Sequence, residues 1–326
     1  MFKDKEGGST LRIKTSMLDP NPAFRDRVLF KISDREHPRV KNKFRVWPTL
    51  EMSMAIDDHL LGITHIIRGA DLVIETDMEK FIWDIFNWSH PETIHTGFLS
   101  LEGVGAKLSK SKSSKEVASG AFSGWDDPRT WSIQSLARRG ILPEAIREFI
   151  KSIGLNKNNI TTPVDALYAI NRKMLDARAN RFSFVAEPVE LEIKNQPKIN
   201  EISVPIHPDK PELKKIKVNK IFISEDDFNK FKGKEIRLIH LFNVKLSSTK
   251  PEGKFTTLEN KDLPKINWVS EFLPTTIIMP DGKITNGYAE KQIKTLKKNE
   301  IIQFERFGFA RLDKIGDEHE FYFAHR

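Results

Sequence analysis

From Arg181 onward the apolar residues of this chain come in short, punctuated runs, and this change of texture constrains the fold more than any other feature. The stretches "RFSFVAEPVELEI", "KKIKVNKIFIS", "EIRLIHLFNVKLSS", "TTIIMP" and "IIQFERFGFARLD" are separated by Pro, Gly, Asn and Asp clusters. Such spacing predicts an all-β region, sandwich or barrel. Between its strands, Lys194 to Lys215 ("KNQPKINEISVPIHPDKPELKK") reads as a Pro/Lys-rich connector. Nothing earlier shares this texture, and no repeat of fixed period is present. The chain is therefore a succession of classes, α/β, then helical, then β.

The first 45 residues hold two strand signals, "STLRIKT" and "RVLFKIS", around a Pro-punctuated turn, "LDPNPAFRD". No complete βαβ unit fits before Trp47. From Val46 to Lys115 the pattern is α/β. "ITHIIRG" predicts a buried parallel strand closed by Gly69, and "MEKFIWDIFNW" places Phe81, Ile82, Ile85 and Phe86 on one helical face. With "HTGFLSL" they form a strand–helix–strand unit. Residues 116 to 180 read as helical. Asp127-Pro128 is the expected start of a helix through "RTWSIQSLARR", with Gly140 as its stop. Pro143 opens "PEAIREFIKSIG", with Ala145, Ile146, Phe149 and Ile150 on its inner face and Gly154 at its end.

Composition narrows the chemistry. The 326 residues contain no cysteine, which removes disulfides, thiolate zinc sites and a cysteine nucleophile together. Nine histidines show no His-Glu-x-x-His spacing, so no zinc site is expected. No run of about 18 apolar residues is present, and neither a membrane span nor a signal region is predicted. The expected location is cytoplasmic. The net charge of +8 and pI near 9.4 suit a partner with a phosphate backbone.

Four lysines, four serines and one leucine make up Lys107 to Lys115, "KLSKSKSSK". Taken alone, the run fits a solvated basic loop better than the sharper alternative, a mobile cradle for a polyphosphate. Lysine ammoniums suit β- and γ-phosphates, and closure as charge develops is where stabilisation raises rate. Neither a Walker loop nor Gly-x-Gly-x-x-Gly is present. The Ser-x-x-Lys match at Ser109 lacks the partners of serine acyl-enzymes. Arg68, at the end of the "THIIRG" strand, points at the crevice where α/β sheets bind ligands. It fits a bidentate carboxylate or phosphate site, or an ion pair with Asp57, Asp58 or Asp71. Adjacent Asp57 and Asp58 cannot share a helix face, so capping and ion pairing are their expected jobs. His65 reads as a satisfied core histidine. In the β region Arg237, Lys245, Lys265, Trp268, Arg306 and Arg311 could stack bases and hold phosphates, or form core and rim.

These pieces together resemble the glutamyl-tRNA synthetases of archaeal and eukaryotic type, class I enzymes that share their architecture with glutaminyl-tRNA synthetases. "KLSKS" (Lys107, Leu108, Ser109, Lys110, Ser111) resembles the Lys-Met-Ser-Lys-Ser signature, with Leu108 for methionine. "AIDDHLLGITHIIRG", "FSGWDDPRTWSIQSLARRGILPEAIREFI", "AINRKMLDARANRFSFV", "INWVSE" and "FGFARLD" are similar to family stretches in the family's order.

The resemblance implies four segments. Residues 1–45 are the remainder of an acceptor-stem-binding insertion, and 46–115 the second half of a Rossmann-type catalytic domain. Residues 116–181 form a helical stem-contact domain and 182–326 two anticodon-binding β-barrels. It implies ATP with Mg2+, L-glutamate and tRNA(Glu) as substrates, with tRNA(Gln) as a further acceptor. Lys110 would stabilise the pyrophosphate side of the transition state, supported by Lys107 and Ser109. Arg68 would face the γ-carboxylate of glutamate, where the glutamine enzymes tend to carry a smaller uncharged residue. Arg237, Lys245, Trp268, Arg306 and Arg311 are the candidate tRNA contacts. Two departures stand out. "VWPTLEM" replaces a Tyr-Pro-Thr-Tyr-Asp-Phe-like segment, so Leu50 stands where a pocket tyrosine would donate a hydrogen bond. The His-Ile-Gly-His signature and the first half of the nucleotide fold are absent from these residues. The expectation is the C-terminal part of a glutamate–tRNA ligase, inactive by itself. The alternatives are a glutaminyl-tRNA synthetase and a non-catalytic tRNA-binding relative.

Overall fold

A computed structural model describes residues 3–104 and 110–326. The chain divides into two compact units, Met1–Ser100 with Ile153–Thr162, and Leu101–Ser152 with Pro163–Arg326.

In the first unit, strands Thr10–Arg12, Val28–Ile32 and Val46–Pro48 form an antiparallel sheet in that order. Helix α1 (Leu50–Leu60) follows at once, and helix α2 (Val73–Phe86) crosses between strands His65–Gly69 and Glu92–Thr96. Those two strands are parallel, with Arg68 opposite His95, so a strand–helix–strand unit is present. Its second strand is Glu92–Thr96 rather than the expected "HTGFLSL", whose last residues fall in strand Leu99–Glu102 of a different two-stranded sheet. Its core gathers Ile13, Leu29, Ala55, Ile66, Met78, Ile82 and Trp83. Each large apolar side chain there contributes roughly 1.5–3 kcal/mol by leaving water. The Trp83 ring N–H donates to the Ala55 carbonyl at 2.8 Å, fixing α2 against α1.

Three further expectations for this unit need correction. The His65–Gly69 strand buries one face only. Ile66 and Arg68 point inward toward α2, whereas Ile67, alternating to the opposite face, is 61 % exposed. The inner face of α2 is Thr76, Met78, Glu79, Ile82 and Trp83, while Ile85 and Phe86 are exposed. Trp83 turns the helix toward α1 and carries the last-turn apolar pair outward. His65 is exposed beside Glu92, 3.3 Å away, since strand alternation sets it opposite to Ile66.

The second unit opens with helices α3 (Lys110–Ala118), α4 (Ile133–Arg139), α5 (Pro143–Ile153) and α6 (Asp165–Asp176). From Lys110 the lysine–serine run is therefore helix rather than loop. Gly140 (φ +93°) and Gly154 (φ +70°) stop α4 and α5 in left-handed conformations that a side chain would strain. The start of α4 differs from the Asp127-Pro128 expectation. Ser132 is its N-cap, its hydroxyl accepting from the Ser135 N–H at 3.0 Å. Asp127 is already engaged, by Arg129 Nε at 2.8 Å and by the Arg129 and Ser123 backbone N–H groups. Only Ala145 and Phe149 of the predicted α5 stripe are fully buried, and Ile150 is exposed.

The β region forms two principal sheets. The larger runs in the order Arg181–Phe182, Ile301–Phe304, Gly308–Lys314, His319–His325, Phe272–Ile278, Ile284–Glu290, Phe184–Ala186. Its two end strands are consecutive in sequence, with Ser183 alone between them. Ser183 separates them because its N–H turns to Glu290 Oε1 at 2.6 Å while its carbonyl accepts the Glu290 backbone N–H at 3.1 Å, and the Glu290 carboxylate is held by Lys214 at 2.7 Å. The smaller sheet has the order Glu192–Lys194, Glu252–Phe255, Asn243–Leu246, Glu235–Leu238, Lys265–Ile266. Neither strand order returns on itself, so mixed α/β with many strands is found and barrel closure is not. Helix α7 (Glu225–Phe231) follows Phe222–Ser224, which pairs with Pro188–Glu190. The Pro/Lys-rich connector contains a hairpin, Glu201–Pro205 with Leu213–Lys217, because Ile202, Val204 and Ile216 alternate inward between the prolines. Phe182, Ile277, Phe304 and Phe321 centre one core, and Ile236, Phe242, Val244 and Trp268 the other. No helix among the described residues is long and apolar enough to cross a membrane.

Candidate active site and nucleic-acid interface

Arg68 is carried inward by strand alternation, and its side chain is only 4 % exposed. Its Nη1 lies 2.8 Å from Glu79 Oε2 and donates to Thr76 Oγ1 at 3.2 Å, both on the inner face of α2. Asp58 Oδ2, on α1, is 4.0 Å from Nη2. Thr76 Oγ1 also lies 3.0 Å from His95 Nε2, so the parallel partner strand closes the cluster. Arg68 and Glu79 are in ion contact rather than in an aligned hydrogen bond, since neither Glu79 oxygen accepts one. Burial raises the Glu79 pKa, against the lowering pull of Arg68. Burial also raises that of Asp58, again opposed by Arg68.

The guanidinium is incompletely used. Nε and Nη2 are buried and have no hydrogen-bond partner. They form one edge of the planar fork, the geometry that takes a carboxylate through two parallel bonds. Of the acidic partners the sequence suggested, Asp57, Asp58 and Asp71, Asp58 does reach the guanidinium, while the nearer carboxylate, Glu79, was missed. A charged residue on the inner stripe of an amphipathic helix was the available signal. Leu50, at the first position of α1, is half-exposed and makes no part of this cluster.

In the second unit Lys110 and Ser111 open α3, while Lys107, Leu108 and Ser109 lie outside the described residues. Lys110 lines a cavity of about 470 Å³ with Ser113, Trp125, Thr130, Trp131 and Ser132. Its wall is tied by the Thr130 hydroxyl, which donates to the Trp125 carbonyl at 2.8 Å. Burial alone would raise the Asp127 pKa, but hydrogen bonds from Arg129 and the Ser123 backbone outweigh it and hold it at about 2.

The basic candidates of the β region fall into two groups. Arg237 donates to Asn243 Oδ1 at 2.9 Å and to the Glu259 carbonyl at 3.0 Å, and Lys245 is exposed on the neighbouring strand. Lys265 is exposed and stands opposite Arg237 in the parallel register. Trp268 is buried in the same sheet's core, its ring N–H donating to the Ile239 carbonyl at 2.8 Å. On the larger sheet, Arg306 is 3.3 Å from Asp227 and lines a cavity of about 550 Å³ with Asp226, Lys230 and Asn267. Arg311 donates to Asn299 Oδ1 at 2.6 Å and to the Arg138 carbonyl at 3.2 Å. No group of His, Asp and Glu able to hold a metal ion occurs among the described residues.

Comparison with known proteins shows the family to which this succession of a parallel strand–helix–strand unit, helices and two sheets belongs. Residues 1–177 match the catalytic domain of class I tRNA synthetases (E and Q). Residues 179–261 and 250–313 match two anticodon-binding domains of the same group. The chain belongs to the class I tRNA synthetases of the E and Q group. It is 43 % identical over 340 residues to the glutamate–tRNA ligase of Pyrococcus horikoshii, covering 99 % of this chain and 59 % of that protein. Against the glutamate–tRNA ligase of Pyrococcus abyssi the identity is 44 %, over 96 % of this chain and 57 % of the relative. That of Methanothermobacter thermautotrophicus is 37 % identical, covering 100 % of this chain and 60 % of the relative. The chain thus spans about three-fifths of the length of the curated relatives it matches.

Proposed function

We propose that the chain is the C-terminal part of a glutamate–tRNA ligase, which activates L-glutamate with ATP and transfers it to tRNA(Glu). One observation carries this reading: the Nε/Nη2 edge of the buried Arg68 makes no hydrogen bond, Asp58 reaching Nη2 only at 4.0 Å. A γ-carboxylate would satisfy both donors, whereas an amide offers one acceptor oxygen and leaves a buried N–H unmet. The names of the relatives support glutamate over glutamine as well.

In the activation step a carboxylate oxygen of glutamate attacks the α-phosphate of ATP, the α–β phosphoanhydride bond breaks, and pyrophosphate leaves. ATP enters as its Mg2+ complex. Lys110, at the start of α3, is the cation that balances charge on the departing pyrophosphate, with Lys107, Ser109 and Ser111 beside it in sequence. The terminal adenosine hydroxyl of tRNA then attacks the mixed anhydride and AMP leaves. Residues 1–45 are read as acceptor-stem-binding, 46–115 as catalytic and 116–181 as stem-contacting. Residues 182–326 are read as two barrels over the anticodon loop, presenting Arg237, Lys245, Arg306 and Arg311, with Trp268 setting their framework. The location is cytoplasmic. Since no His-Ile-Gly-His signature occurs in these residues, this chain by itself is expected to bind tRNA without activating glutamate.

The test is aminoacylation by the full gene product with Arg68→Ala. The glutamate KM is expected to rise more than about tenfold with the ATP KM unchanged. Unchanged glutamate kinetics, or charging with glutamine in preference to glutamate, would sink the assignment.

A further inference from the structure

We infer that the hairpin from Lys31 to Trp47 is a stacking platform for unpaired bases of an RNA strand, an inference that rests on reading the chain as RNA-binding. The antiparallel register sets Trp47 opposite Lys31, and Lys31 opposite Thr10, so the three share one face of the sheet. Lys31 and Thr10 are exposed on that face and Trp47 is half-buried. The connecting loop folds back through a His37–Lys41 bridge and lays the His37 ring on Trp47, centroids 4.9 Å apart and planes 13° from parallel. His37 Nδ1 accepts the backbone N–H groups of Arg39 (3.1 Å) and Val40 (3.3 Å), which fixes the ring in that stack. Phe44 meets Trp47 edge-on at 6.4 Å and is itself 51 % exposed. None of the three rings belongs to the apolar core of this unit.

Three aromatic rings held together at a surface need a reason, and the surrounding charge supplies one. Residues 31–45 carry six Lys or Arg against two Asp or Glu, a net +4 that is half of the whole chain's +8. Arg45 is held by Asp34, and Lys41 by Glu36 at 2.7 Å. Lys31, Arg35, Arg39 and Lys43 make no ion pair among the described residues, and the Lys43 ammonium sits 5.3 Å over the Phe44 ring. Cations around preformed aromatic faces are what a single strand requires, phosphates to the rim and bases to the rings. A duplex offers the same phosphates but keeps its bases stacked on each other. The platform therefore discriminates by strandedness, and its sequence tolerance follows because every base has a π-face.

The experiment uses the 326-residue chain, a fluorescent single-stranded decamer of uridines and a blunt ten-base-pair RNA duplex, read by anisotropy at fixed salt. Phe44→Ala, whose ring is largely in solvent, and Trp47→Leu are the variants, and tRNA binding is followed in the same preparations. The expected result is a loss of about tenfold or more for the single strand with duplex affinity unchanged. Equal losses on both probes would reduce the hairpin to a charged patch, and no loss on either would remove it as a site. Either result overturns the platform. Loss of tRNA binding by the unsubstituted chain would instead overturn the RNA-binding reading, so the two failures are told apart.

Discussion

Replacing Arg68 by alanine removes the one cation in ion contact with Glu79 among the described residues, and the Glu79 carboxylate is fully buried. Breaking a buried pair by deleting one partner costs about 3–5 kcal/mol, because the remaining charge keeps its desolvation penalty. The variant can relieve that cost by protonating Glu79. Burial already holds the folded Glu79 pKa above its ordinary 4.5, and Arg68 is the group pulling it down, so its loss moves the pKa further up. A folded state that holds a proton the unfolded state has lost becomes less stable as pH rises from 4.5 through the folded pKa. The penalty of Arg68→Ala should accordingly be small at pH 5 and approach its full size at pH 8. Hydrogen–deuterium exchange of peptides from α2 (Val73–Phe86) reads it locally. Adding Glu79→Gln, which keeps the shape and removes the charge, should bring the pH 8 protection back to within about 1–2 kcal/mol of the parent. A penalty equal at both pH values, or a double variant no better than the single one, would show that Glu79 does not bear the charge assigned to it.

Two further outcomes are expected. In the full gene product, Lys110→Ala should lower glutamate-dependent ATP–pyrophosphate exchange about 100-fold while tRNA affinity stays nearly unchanged; equal losses in both would remove Lys110 from the activation step. Asp127, held at about 2 against an ordinary 3.8, contributes stability that is present above pH 3.8 and lost as pH falls through 2. Asp127→Asn should then cost about 2 kcal/mol at neutral pH in urea unfolding, with the difference gone below pH 2.

Local signals carried much of this fold. The "THIIRG" strand and the presence of a helix after it were legible because apolar runs and 3.6-residue periodicity need no distant partner, whereas the helix's inner face and the bounds of the second strand were not. The glycine ends of α4 and α5 were legible too, where backbone geometry alone decides. What escaped depends on partners far apart in sequence or on competition between nearby signals. Glu79 falls on the inner stripe of its helix, but nothing local says which cation meets it until Arg68 folds in from the preceding strand. Asp127-Pro128 is a sound helix start until Arg129 takes its carboxylate and leaves the cap to Ser132. In the Pro/Lys-rich connector, prolines mask a hairpin whose evidence is three alternating apolar residues. At the candidate site, Arg68 was readable from its place at a strand end. Its unpaired edge was not, since that depends on which donors its neighbours leave over.

The Ser183 hinge puts both flanks of the seven-stranded sheet in the keeping of six residues. Arg181–Phe182 covers the Ile301–Phe304 strand and Phe184–Ala186 covers Ile284–Glu290. A sheet normally presents two edges, each with its own defence against pairing with foreign strands. Here one segment guards both, so a proteolytic nick or a truncation near Asn180 would bare two rows of unpaired N–H and C=O groups in a single event. The same economy delays folding, because strands more than 90 residues downstream must wait for this segment, or it for them, before either flank is sealed. The clasp makes the sheet tolerant of change along most of its length and intolerant at one short place.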